Sequence, residues 1–197
     1  AKKYGARGMV DDAHGLGVIG EGGRGTASYF GLDDEVDIIM GTFSKSLASL
    51  GGYMAASELV CDYVRHNSRP FIFSASIPPS ACATALAALR YIEAHPELPT
   101  RLLALSSYAR AGLKERGLHI RESLTPIIPI YTYQAENTLI KAKELYEAGV
   151  YVNPVLPPAT EPTECLLRTS YMATHTEPLL DEAMDIIRSV LCDGGQN

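Results

Sequence analysis

The sequence predicts an α/β fold: an open, mainly parallel sheet with its helices, followed by a small α+β domain. Two observations carry this. Short apolar runs alternate with helical patterns as far as Ala94, the mark of layered α/β units. Two of the runs also end in polar groups: Met9-Val10-Asp11-Asp12-Ala13-His14, and Val36-Asp37-Ile38-Ile39-Met40 leading into Gly41-Thr42-Phe43-Ser44-Lys45. Open parallel sheets present ligands at such C-terminal strand ends.

Ala1 to Arg7 reads as the last turn of a helix closed by Gly5. A chain that starts on a helix end is expected to be the C-terminal part of something longer. The first strand runs from Gly8 to Asp11 or Asp12, and its continuous apolar character predicts burial on both faces. Gly15-Leu16-Gly17-Val18-Ile19-Gly20 then matches the dinucleotide pattern G-x-G-x-x-G. That pattern has to open a helix, whereas Gly22, Gly23 and Gly25 stand where the helix would run, each costing about 1 kcal/mol against alanine. This argues against a nicotinamide site.

Strands follow at residues 36–40 and Gly52–Ala56, then a helix from a Ser57 cap to about His66, and a short strand at 70–73. Pro79 opens a long helix with Ala81, Ala85, Ala88, Leu89 and Ile92 at helical spacing. His95-Pro96-Glu97-Leu98-Pro99 interrupts it and marks a domain boundary, giving domains at 1–95 and 96–197. Beyond it the pattern predicts a helix at 100–116 ending at Gly117, a strand at Ile127–Tyr133, and a helix at 136–148 capped by Gly149. A strand at 150–152, a proline-rich loop at 153–162 and a strand at 165–172 come next. The last helix, about 177–192, carries Leu179, Leu180, Ala183, Ile186, Ile187, Val190 and Leu191 on one face.

With 197 residues and 46% hydrophobic content, the chain has material for one large or two small domains with a buried core. A formal charge of −6 and a pI near 5.4 offer no basic footprint for nucleic acid. No apolar run reaches the ~18 residues of a membrane span, so no transmembrane segment is expected and the cytoplasm is the expected location. Cys61, Cys82, Cys165 and Cys192 form no C-x-x-C pair, so they are expected to be free or buried thiols, with no metal site.

Lys45 follows an apolar strand and stands between Ser44 and Ser46. Taken alone it is an exposed loop lysine; desolvated, such an amine becomes a nucleophile towards an aldehyde. The hydroxyls of Thr42 and Ser44 suit phosphate oxygens. Asp11 ends a strand expected to be buried, where a carboxylate needs a cationic or donor partner. A helix cap or a salt bridge would serve. So would a pyridine nitrogen, which a carboxylate keeps protonated, and a Schiff-base lysine with an Asp partner is the pyridoxal phosphate arrangement.

Asp11-Asp12-Ala13-His14-Gly15, Gly20-Glu21-Gly22-Gly23-Arg24-Gly25 and Thr42-Phe43-Ser44-Lys45 together resemble the α-oxoamine synthases, pyridoxal phosphate enzymes of fold type I. The likeness continues through Arg69-Pro70-Phe71-Ile72-Phe73-Ser74 and Ser76-Ile77-Pro78-Pro79. It resumes at Pro157-Pro158-Ala159-Thr160, Leu167-Arg168-Thr169-Ser170 and Ala173-Thr174-His175-Thr176. Separate motifs in the right order over nearly the whole chain are more specific than any one of them.

By this resemblance the cofactor is pyridoxal 5'-phosphate. Lys45 forms the internal aldimine and transfers protons, Asp11 holds the pyridine nitrogen, and His14 sits near the phenolic oxygen. Thr42 and Ser44 contact the cofactor or its phosphate, and Ser74 reaches the phosphate of a neighbouring subunit, which implies a homodimer with shared sites. Arg168 binds the amino-acid carboxylate. His175 has no role beyond orienting the Thr176 turn. The implied activity condenses serine, glycine or alanine with an acyl-CoA, usually with decarboxylation, to an aminoketone. Tyr151-Val152-Asn153 and Pro157 to Thr160 look most like the serine palmitoyltransferase branch. The 8-amino-7-oxononanoate synthase and glycine C-acetyltransferase branches share the pattern, and an aminotransferase would use the same lysine and aspartate. The family's N-terminal half, with the ring that stacks on the cofactor, is not in these residues, so this fragment alone is expected to be inactive.

Overall fold

The protein is described by a computed structural model covering residues 1–193. The chain divides into two compact units, Ala1–Thr100 and Arg101–Asn197.

In the first unit a single turn at Lys2–Tyr4 is closed by Gly5 in the left-handed region, φ 65°. Then come β1 (Met9–Asp11), α1 (Thr26–Tyr29), β2 (Ile38–Thr42) and β3 (Gly52–Ala56). The sheet order is β1-β2-β3. β1 runs parallel to β2 with Asp11 opposite Met40, and β2 runs antiparallel to β3 from Ile38↔Ala56 to Thr42↔Gly52. The β2–β3 connection is too short for a crossover, which takes about a dozen residues or more, so the third strand turns back on the second. Asp37 fixes the start of this ladder. Its Oδ2 accepts from Gly8 N at 2.8 Å and its Oδ1 from Arg7 Nη1 at 2.9 Å.

The expected burial of the first strand on both faces is not found. Met9 is 64% exposed and Val10 half-buried, because the described residues leave the face that carries Met9 and Asp11 uncovered. α2 (Glu58–Asn67) starts after Ser57, whose carbonyl accepts from Cys61 N. The strand expected at 70–73 is instead α3 (Arg69–Phe73). Ser68 Oγ accepts from Phe71 N, and Pro70 lies in the first turn, where its missing N–H costs nothing. Local capping thus outweighs the β preference of the Phe71-Ile72-Phe73 run. α4 (Pro79–Ala94) buries Ala85 and half-buries Ala81, Ala88 and Ile92, while Leu89 is exposed. Among the described residues, the buried apolar side chains of this unit are only Ala27, Leu47 and Ala85.

α5 (Glu97–Glu115) begins earlier than the sequence pattern suggests, since Pro99 is tolerated in its first turn. Gly117 follows it at φ 78°. In the second unit come β4 (Ile127–Tyr133), α6 (Ala135–Glu147), β5 (Asn153–Val155), β6 (Cys165–Ser170) and α7 (Glu177–Arg188). The sheet order is β4-β6-β5, antiparallel throughout, with β6 central. Helices and sheet close a continuous core: Leu105, Ala109 and Leu113 meet Ile128, Ile130, Leu145, Leu167, Leu180, Met184 and Ile187.

The strand expected at 150–152 forms three residues later, at Asn153–Val155. Val152 is spent in the core ahead of the sheet, and Pro154 is accommodated because β5 is an edge strand. On α7, Leu179 is 50% exposed, and Met184, one turn beyond Leu180, completes the buried stripe in its place. The helix then widens into a π turn at Ser189–Asp193. All four cysteines are free, Cys165 buried and Cys82 and Cys192 exposed.

Candidate active site

Because β1 and β2 are parallel and in register at Asp11↔Met40, their C-terminal ends open on one edge of the sheet. Asp11 and the loop that follows Thr42 both emerge there. Asp11 is exposed, and its Oδ1 accepts from Ala13 N at 3.0 Å, an Asx turn that holds the carboxylate at the strand end. The buried acid is its neighbour Asp12, 4% exposed. Asp11 thus stands at an exposed strand end and not at the buried one its sequence context predicts.

Asp12 builds the loop. Both of its oxygens accept from Thr26 N, at 3.1 and 3.0 Å, and Oδ1 also accepts from Thr26 Oγ1 at 2.5 Å. Gly15 and Gly25 pack directly on this carboxylate, and a Cβ at either would collide with it. The segment between them folds back on itself through a Leu16↔Arg24 bridge, and Gly17 N donates to Gly23 O at 2.6 Å. No long helix opens after Gly15, so the dinucleotide pattern has no structural counterpart. Gly17 lies where a Cβ would strike Ser46. The glycine loop is therefore packed against the loop that carries the lysine.

That second loop is tightly tied. Thr42 Oγ1 donates to Gly51 O at 3.1 Å, and Ser44 N donates to Thr42 Oγ1 at 3.2 Å. With Thr42 Oγ1 committed to Gly51, Ser44 Oγ donates to it at 2.8 Å. Ser49 N donates to Phe43 O at 2.7 Å, and Ala48 N to Lys45 O at 3.0 Å with Ala48 at φ 50°. Lys45 is exposed, and its ammonium makes no hydrogen bond or ion pair among the described residues. His14 is exposed in the turn after β1.

Sequence reasoning missed three supporting residues: Asp12, Thr26 and Tyr53. The Tyr53 ring covers Gly41 across the β2–β3 pair and stacks on Phe43 at 6.0 Å. Burial, and after it the charge of Asp12, raises its phenol pKa above the ordinary value. The signal that could have found it is Gly41 in mid-strand, a residue that makes room for an opposing ring.

Ser74 is exposed and follows the end of α3. Arg168, in the second unit, lies within β6 between Pro129 of β4 and Asn153 of β5. Its Nε is buried with no partner, a costly state for a charged donor unless a ligand completes it. His175 Nδ1 accepts from Met172 N at 3.3 Å and its carbonyl from Arg101, so it is a turn-forming residue.

These features suit pyridine chemistry on one edge: a carboxylate held but not buried, an unpaired amine, and adjacent hydroxyls. Among the described residues no group of His, Cys, Asp or Glu could hold a metal ion, and no helix is long and apolar enough to cross a membrane.

Comparison with known proteins agrees. Residues 1–187 match the family model for aminotransferase class I and II. Serine palmitoyltransferase of Bacteroides ovatus is 48% identical over 183 residues, which cover 93% of this chain and 46% of that protein. The 8-amino-7-oxononanoate synthase of Citrifermentans bemidjiense is 42% identical over 192 residues, covering 96% and 49%. A solved serine palmitoyltransferase with its PLP internal aldimine matches with a TM-score of 0.91 at 34% identity, covering 96% of this chain and 48% of that one. The chain spans about half the length of the curated relatives it matches. It belongs to the aminotransferase class I and II family, and its relatives there are α-oxoamine synthases.

Proposed function

We propose that the full-length protein is a pyridoxal phosphate-dependent acyltransferase that condenses a small amino acid with an acyl-CoA, with serine palmitoyltransferase as the favoured activity. The observation that carries this is the delivery of Asp11 and the Lys45 loop to one sheet edge by the parallel register of β1 and β2. The higher identity to a serine palmitoyltransferase, 48% against 42% for an 8-amino-7-oxononanoate synthase, supports the choice of branch. The latter activity is the alternative.

Pyridoxal phosphate, when bound, supplies an electron sink for the amino-acid α-carbon. Asp11 keeps the ring nitrogen protonated, and its fixed Asx turn means little reorganisation is needed for that task. Lys45 holds the cofactor covalently and then moves a proton at the α-carbon. His14 would stand beside the ring, and Thr42 and Ser44 would offer hydroxyls to the cofactor or its phosphate. Arg168 binds the substrate carboxylate through the planar pair of donors of its guanidinium. Ser74 serves the site of a second subunit, so the protein is a homodimer. Residues 1–95 belong to the cofactor-binding large domain and 96–197 to the small domain. The N-terminal half covers the apolar surface that the first unit exposes, including Phe73 at 82%. The location is cytoplasmic.

The test uses the full-length protein with serine, glycine or alanine and a long-chain acyl-CoA. Release of CoA and CO2 dependent on serine is the expected result. Amino-group transfer to a keto acid without CoA release would assign an aminotransferase instead.

A further inference from the structure

Within the first unit, the loop that carries Lys45 is fastened to the segment that carries Ser74. Residues 74–78 link α3 to α4 without regular structure, and from Arg69 to Ser80 every residue is exposed except Ile77, which is half-buried. Ile77 packs on Gly51, where an added Cβ would lie 2.8 Å from its Cγ2. Gly51 closes the lysine loop: its carbonyl accepts from Phe43 N at 2.9 Å and from Thr42 Oγ1 at 3.1 Å. A second tie lies a few residues further on. Ser49 Oγ donates to the Ala81 carbonyl, in the first turn of α4, at 2.7 Å across 32 residues of sequence. Ser49 N donates in turn to Phe43 O at 2.7 Å, so both ties end on the same small loop.

Resting on the homodimer of the proposed function, the two fastened segments serve different cofactors: Lys45 that of its own subunit, Ser74 that of the partner subunit. A linker anchored by one side chain has few buried contacts to hold it, and a phosphate that engages Ser74 restricts it further. Restricting it seats Ile77 on Gly51 and Ala81 on Ser49, which braces the lysine loop of the same subunit. The entropy of ordering that loop is then already lost when the subunit binds its own cofactor, so the second binding event is the more favourable. We propose that Ser49 and Ile77 are positioning residues that couple the two cofactor sites of the dimer, so that filling one favours filling the other.

The test titrates pyridoxal phosphate into the cofactor-free full-length protein by equilibrium dialysis, with the oligomeric state read by sedimentation. The second site is expected to bind about tenfold more tightly than the first, a Hill coefficient of about 1.5, within the usual range of coupling between sites. Ser49→Ala and Ser74→Ala should make binding non-cooperative, and Ser49→Thr, which keeps the hydroxyl, should restore the cooperativity. Ile77→Val, a small change in volume, should lower the coefficient in the same direction. A contact that is merely structural would weaken both sites equally and leave the coefficient unchanged in Ser49→Ala, and that result would overturn the coupling. Non-cooperative binding to an unsubstituted dimer would overturn it too, while leaving the cofactor and the shared sites in place. A monomer would overturn the shared sites and the coupling with them, and no bound cofactor would overturn the cofactor reading itself.

Discussion

The carboxylate of Asp12 takes both the amide and the hydroxyl hydrogen of Thr26, across 14 residues of sequence. This clasp closes the glycine loop that abuts Ser46 and holds the lysine loop in place. Thr26→Val keeps the shape but removes the hydroxyl donor. It should lower stability by about 1.5–3 kcal/mol, the usual worth of a hydrogen bond to a charged group. Urea unfolding of the full-length protein measures it, and a change within a few tenths would show that the clasp is not structural.

Gly25 is at φ 100° and packs on the same carboxylate. Gly25→Ala combines a strained backbone with a steric clash, so it should destabilise more than Gly22→Ala. Gly22 also has positive φ, 58°, but open space around its missing Cβ. The difference between the two variants in thermal melts reads the Asp12 contact together with the extra backbone strain at Gly25, whose φ 100° and ψ −169° suit only glycine, against φ 58° and ψ 19° at Gly22.

Asp37 ties the start of β1 to the start of β2, and the Gly8 amide, followed by Arg7, holds its carboxyl below the ordinary aspartate pKa. A depressed folded-state pKa adds stability above the unfolded-state value, and that stability is lost as pH falls through the folded value. Unfolding midpoints of the unsubstituted protein and Asp37→Asn should therefore differ at neutral pH and converge in acid. Parallel curves would show that Asp37 plays no part in the acid limb.

Arg168→Lys keeps the charge but loses the planar pair of donors. In the full-length protein it should raise KM for the amino acid about tenfold with little change in KM for the acyl-CoA. Equal effects on both substrates would remove Arg168 from the carboxylate site.

The sequence marks candidate residues for the site more readily than it marks their support. Asp11, Thr42, Ser44 and Lys45 could be picked out because strand ends, hydroxyls and an amine recur in a known order. Which acid is buried could not be read from Asp11-Asp12, because adjacent residues point to opposite sides and only the tertiary partner Thr26 decides between them. The helix at Arg69–Phe73 was hidden for a similar reason: Phe71-Ile72-Phe73 favours a strand until the Ser68 cap is counted. β5 was shifted because Val152 serves the core instead of the ladder. Elements with long periodic patterns, such as α4 and α6, were legible throughout, since their spacing alone specifies them.

The central claim is that Lys45 is the amine that holds the cofactor. Adding pyridoxal phosphate to the full-length protein, reducing with borohydride and mapping the labelled peptide tests it directly. Label on Lys45, abolished in Lys45→Ala, is the expected result. Label on a different lysine, or none, would contradict it.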